Sequence, residues 1–286
     1  MQTQQAYFCA EEQGVFLVSI DLVRCQASET VWSWRAADSP EIPAEHKGLF
    51  RGYDECKPAL DGSCVLVSSS WHGAAALIRQ ADKKCLFYAQ NKGAHSLELI
   101  DGRFMAVATS NEDGQVRLYD LGEQFATCPV LDAQPAWALD LPCGHGVVWD
   151  GRQRVLYALG GDELLKLRLA TSAGRSISAE VVTRWALPGP SGHNLSWFDH
   201  EHLAISTDPG CHLFDIRDGS FTPLPGLENV QHVKSISRDP ASGVVLYTPG
   251  DEHNFTSGLS CLPQGFIALP YTTIYKTRWN VDDSPR

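Results

Sequence analysis

Residues 144–159 read Gly144-His145-Gly146-Val147-Val148-Trp149-Asp150-Gly151-Arg152-Gln153-Arg154-Val155-Leu156-Tyr157-Ala158-Leu159. A histidine between glycines opens the stretch, and a short apolar run follows. Asp150-Gly151 then offers a tight turn, and a second run rich in apolar and β-branched residues returns. Short apolar runs bounded by Gly and Asp read as buried strands joined in a hairpin. The second strand recurs at Cys64–Ser69, Phe104–Thr109, 203–207 and 244–248, with Asp61-Gly62, Asp101-Gly102 and Ser242-Gly243 ahead of three of them. A third strand follows at 75–78, 116–120, 164–168 and 212–215.

Working outward from His145, a basic or histidine residue returns ahead of the same pattern: Lys57, His95, His145, His193, Lys234 and Lys276, at intervals of 38, 50, 48, 41 and 42 residues. About 40–45 residues is the length of one four-stranded propeller blade. The N-terminal segments 5–10, 15–21 and 30–34 fit strands two, three and four of that unit, and the missing first strand is available at 273–279. The sequence therefore predicts an all-β, six-bladed β-propeller, closed by a composite blade from both termini, as one domain over residues 1–286. Sharing one blade between the termini removes the exposed edges of an open sheet. No sustained 3.6-residue apolar pattern competes, and 24 Gly with 16 Pro suits a turn-rich chain. The longest loop, 36–53, precedes the first of the recurring residues and could act as a lid.

With 23 basic and 34 acidic residues, the net charge of −11 argues against nucleic acid or anionic membrane as partner. Nine cysteines, none in a C-x-x-C pair, indicate neither a zinc ribbon nor a redox motif. Most stand among apolar strand residues, as reduced cysteines do. The first ten residues have neither a basic nor an apolar leader region, and no apolar run approaches the roughly 18 residues of a membrane span. These readings predict a cytoplasmic protein.

A propeller gathers equivalent positions of its blades near the axis, so the recurring residues would form one pocket. His95, His145 and His193 would come from consecutive blades and could hold a divalent metal such as Mn, Zn or Ca. Each follows a glycine, Gly144 directly in the case of His145, which lets the backbone approach a ligand closely. The alternative is that they bond loop backbone. Lys57, Lys234, Lys276 and Arg278 form a cationic set, with His72 and His232 near it in sequence. Lys276 and Arg278, two apart, share one face of the last strand. Buried cations need either an anionic ligand or internal carboxylates, for which Asp54, Glu55, Glu98 and Asp150 are candidates. Most of the eight tryptophans suit packing between blades, whereas Trp71, beside His72-Gly73 in a loop, suits a sugar ring. No nucleophile elbow, phosphate loop or dinucleotide fingerprint is present.

The motifs Trp32-Ser-Trp34, Glu55-x-Lys57-Pro58, Ala94-His-Ser96, His145-Gly-Val-Val-Trp-Asp150, Gly192-His-Asn-Leu-Ser196, Val233-Lys-Ser235 and Tyr275-Lys-x-Arg-Trp279 resemble an uncharacterised family of bacterial and fungal propeller domains. That resemblance implies the fold and names no reaction. A looser likeness to the oligogalacturonate lyases implies a type of site, histidines with a divalent metal and cations for a uronate, without a matching motif.

The expected function is metal-assisted β-elimination on a small uronate-containing or other anionic saccharide. His95, His145 and His193 would hold the metal. Lys234 and Arg278 would neutralise the carboxylate, and Lys57 or Lys276 would take the proton beside it. Glu55, Trp71, His72 and His232 complete the expected substrate-binding set. The alternatives are a WD-like interaction scaffold with a protein partner on its rim, a lactonase or epimerase, or a non-catalytic sugar-binding propeller.

Overall fold

A computed structural model describes residues 3–111, 113–171, 177–263, 265–269 and 273–281. Met1 and Gln2, part of the opening segment read for a leader, lie outside the described residues. Six four-stranded antiparallel sheets form the six blades of the propeller. Their inner strands are Ile274–Trp279, Tyr53–Ala59, Ala94–Ile100, Gly146–Asp150, Asn194–Trp197 and Val233–Arg238, numbered here as blades one to six. Each inner strand lies against the next, and blade six returns to blade one.

Blade one is composite. Ile274–Trp279 pairs antiparallel with Thr3–Ala10, bringing Ala6 opposite Trp279, and the sheet continues through Gly14–Asp21 and Gln26–Trp34. Trp279 anchors the closure, fully buried, with its indole N–H donating to Val244 O at 3.1 Å. The short apolar runs become the second strands, Cys64–Ser69, Phe104–Thr109, Val155–Leu159, His202–Thr207 and Val245–Pro249, each sandwiched between blade faces. The interior is a series of clusters between adjacent blades, one of them built on Tyr7, Trp34, Phe50, Tyr53 and Tyr88. Burying aromatic side chains of this size supplies much of what holds neighbouring blades together.

Loop 36–53 contains only two short 3-10 turns, Ala36–Asp38 and Ala44–Leu49. It is pinned between blades one and two: Trp34 and Phe50 meet edge to face, Ser39 Oγ donates to Lys83 O, and His46 bonds the Tyr88 hydroxyl. Its far end reaches the mouth of the axial channel, where the Ser69 hydroxyl bonds Arg51 O. All nine cysteines are free, and six are buried among apolar neighbours. No described helix is long and apolar enough to cross a membrane.

Candidate functional site

The strand register shows how the chain aims side chains at the axis. In blade three Ala94 pairs with Thr109 and Ser96 with Ala108, leaving His95 as the extra residue of a bulge. Lys234 is the extra residue in blade six, and Asp54 in blade two. In blade one, Tyr275 and Lys276 lie between the paired residues Ile274 and Thr277. His145 and His193 stand one residue ahead of their strands, their N–H groups donating to Leu159 O and Ser206 O. A bulge bends the strand and redirects its side chain, and here bulges in blades two, three and six turn Asp54, His95 and Lys234 into the mouth.

The ring is therefore Asp54, His95, His145, His193, Lys234 and Lys276, at intervals of 41, 50, 48, 41 and 42 residues. This corrects the sequence-based alignment for blade two. Lys57 lies three residues beyond Asp54, level with Glu98, and faces the interior below the ring. Its ammonium meets Glu98 at 3.2 Å and donates to Val147 O at 2.7 Å.

The three imidazoles form an arc. The His95 and His145 ring centroids are 4.4 Å apart, and those of His145 and His193 are 4.9 Å apart and perpendicular. His145 donates its Nδ1 hydrogen to Cys143 O at 2.9 Å, which leaves Nε2 to accept from the Ser110 hydroxyl at 3.3 Å. The Nδ1 atoms of His95 and His193 are buried without a hydrogen-bond partner among the described residues. Buried polar atoms without a partner cost free energy, and a ligand that bonds them recovers it.

Lys234 Nζ lies 3.0 Å from His193 Nε2, and Asp208 Oδ1 lies 3.1 Å from the same nitrogen. Nε2 has room for one hydrogen. It either accepts from the Lys234 ammonium or donates to Asp208 while Lys234 is a neutral amine. Burial pulls Lys234 down to about 8, against the opposing pull of Asp208. Burial and the Lys234 charge lower His193 to about 4, and burial with His193 lowers His145 to about 3. Burial, then His145, holds His95 well below its ordinary value, so the arc is neutral at pH 7. Across the ring, burial raises Asp54 to about 7 despite the Ser70 hydrogen bonds and the Lys276 charge. Asp54 Oδ1 faces the unpartnered His95 Nδ1 at 4.0 Å.

A metal set aims three lone pairs at one point. Among the described residues no three His, Cys, Asp or Glu side chains are so arranged. The His95 and His145 rings are tilted by 33°, those of His145 and His193 are perpendicular, and Lys234 occupies the Nε2 side of His193.

One step below the ring the channel is closed by paired charges. Glu55, fully buried, receives both arms of Arg278 at 2.9 and 3.0 Å and lies 3.5 Å from Lys276. Arg278 also donates to Asn194 Oδ1 at 2.8 Å and Ile236 O at 2.9 Å. Lys276 donates to His95 O at 2.7 Å, tying the floor to the ring. The expectation that Lys276 and Arg278 share a face agrees with this, since both reach Glu55. Burial would raise the Glu55 carboxyl, but Arg278, Lys276 and Lys57 outweigh it and hold it well below the carboxylate range. Of the residues expected to touch substrate, Glu55 lies within this floor, while Lys57 and Arg278 line a cavity with Glu98, Ser196 and Ser237.

Residues 2–164, more than half of the chain, match DUF6528, a family of unknown function. The chain belongs to that family. No curated protein matches it. Among solved structures, a protein of unknown function from Bacteroides caccae is 10% identical, with TM-score 0.59, covering 98% of this chain and 100% of its own. A candidate 6-phosphogluconolactonase from Bacteroides fragilis is 9% identical with TM-score 0.58, the coverage being 97% and 98%. A chain of the nidogen/laminin complex is 11% identical with TM-score 0.63, covering 98% and 99%. At these identities the likeness shows the propeller alone.

In this DUF6528 chain the glycines beside the histidines serve close packing of loops at the mouth. A Cβ on Gly192 would come within 2.6 Å of Gly160 O, and Gly93, at φ 78°, has Ser110 O 2.9 Å from the same position. The rim carries the remaining expected residues. His232 is exposed and bonds Asp208 at 3.2 Å, while Trp71 and His72 are exposed on the loop after Cys64–Ser69. From the sequence alone, Asp54 is only a candidate internal counter-charge. The signal that finds it is the interval of 41 residues back from His95, which matches the interval from His193 to Lys234 better than Lys57 does.

Proposed function

We propose that this propeller is a carbohydrate-active enzyme that binds the carboxylate of a small uronate-containing or other anionic saccharide at its axial mouth. The chemistry we assign is β-elimination. The observation that carries the reading is the ring itself: a buried lysine drawn down to about 8 and two unpartnered imidazole nitrogens share it with a carboxyl raised to about 7, which lies 4.0 Å from the His95 nitrogen. Groups with displaced pKa values gathered in one recess favour acid–base chemistry.

The Lys234 ammonium neutralises the substrate carboxylate, and His193 and His95 hydrogen-bond it, as charge grows there while the adjacent carbon loses its proton. Asp54 takes that proton. The electron pair left on carbon forms the double bond as the β carbon–oxygen bond breaks, and the Asp54 carboxyl returns the proton to the departing oxygen. The lysine and imidazole donors stand in this scheme where a metal was expected, because Lys234 already meets His193 Nε2.

The test is a panel of acidic oligosaccharides followed by the ultraviolet absorbance of an unsaturated product. Asp54→Asn keeps an acceptor for the Ser70 N–H, so it should bind substrate and lose turnover by about a hundredfold or more. Turnover at the wild-type rate in Asp54→Asn overturns the assignment of the base. Silence of the wild-type protein across the panel, in both binding and turnover, overturns the function.

A further inference from the structure

Trp71 is 73% exposed, an indole left in solvent at the rim of a polar recess. An indole beside the ring offers a flat apolar face on which a ligand can stack. The loop that carries it is held in place at several points. The Ser70 N–H donates to Asp54 Oδ2, a ring member, and Ser70 O accepts from Gly93 N–H at 3.0 Å, two residues before His95. Gly73 O accepts from Asn91 N–H at 2.7 Å. Gly52, at φ 71°, packs beneath the indole, and a Cβ there would sit 3.1 Å from Trp71 Cβ. The loop that bears the indole is thus held in place, and the neighbour of Trp71 in sequence bonds the ring.

The channel is blocked directly beneath. Lys276 and Glu55 are fully buried and joined to Arg278, so nothing that enters the mouth continues along the axis. A ligand must enter end on.

From these two observations we infer that the mouth receives the acidic terminal residue of an oligosaccharide, with the next sugar ring stacked on Trp71. The inference rests on the carboxylate-binding reading above and narrows its substrate class. A pyranose has an aliphatic C–H face that packs on an aromatic plane, while its hydroxyls stay in water. The dead end below stops a chain from threading the axis, and we place the acid at the chain's end.

Titration calorimetry on the intact protein tests it, with galacturonate and glucuronate each as the free acid and as a short oligomer. Trp71→Ala should weaken oligomer binding about tenfold and leave the free acid unchanged, and Trp71→Phe should restore most of the loss. An oligomer acidic only at internal residues should bind no better than a neutral one. If Trp71→Ala alters neither ligand or both equally, or if internal acids bind like terminal ones, the inference is wrong while the carboxylate site survives. If no acid binds the wild-type protein, the reading beneath it falls as well.

Discussion

At the mouth, Lys234 lies against an imidazole nitrogen and burial draws its pKa to about 8. One step below, Arg278 and Lys276 close on Glu55, whose carboxyl those cations hold well below its usual range. Both layers are carried by the inner strands or by the residue just ahead of them. In the lower layer the cations meet a carboxylate and backbone oxygens, as buried ions must. In the upper layer two imidazole nitrogens have no partner among the described residues. The contrast separates charge that holds the fold from polar groups left ready for a ligand, and residue type alone does not make that distinction.

The contrast breaks most visibly at Glu55. Glu55→Ala strips the carboxylate from two buried cations and should cost about 3–5 kcal/mol of stability, read from denaturant unfolding. A loss well under that range would mean the floor is not a structural plug. The same group sets an acid limit. Its folded pKa is lowered, so its contribution is present above the ordinary carboxyl value of 4.5 and lost as pH falls below it. A Glu55→Gln variant should lack that part of the acid transition.

A smaller effect is expected one layer up. Lys234→Met should leave stability within about 1 kcal/mol, because it removes a partly desolvated charge, yet weaken binding of a uronate tenfold or more. Equal damage to stability and binding would place Lys234 with the floor. The smallest effect concerns pH. Lys234 holds an anion only when protonated, so carboxylate affinity of the wild-type protein should decline as pH rises through about 8, and Lys234→Met should show no such inflection. Calorimetry across that window checks both.

The strands were legible because each is a short apolar run closed by turn residues, and Val155–Leu159 and Phe104–Thr109 lie where the pattern put them. The composite blade was legible because 273–279 supplies the strand that the N-terminus lacks. The site was legible in five of its six ring positions. The sixth failed for a physical reason: a bulge inserts one residue without a sequence signature, and a charge count prefers Lys57 to Asp54. Nor does sequence tell that Glu55 and Arg278 satisfy each other, because their 223-residue separation is bridged only by closing the ring.

Blade one has a temporal consequence. The strand Ile274–Trp279, which brings Lys276 and Arg278, leaves the ribosome after every other described strand. Until it docks beside Thr3–Ala10, Glu55 lacks both of those cations and the ring lacks one member. A nascent chain can have most of its blades folded and still have no complete ring, so the site forms only once that strand has docked.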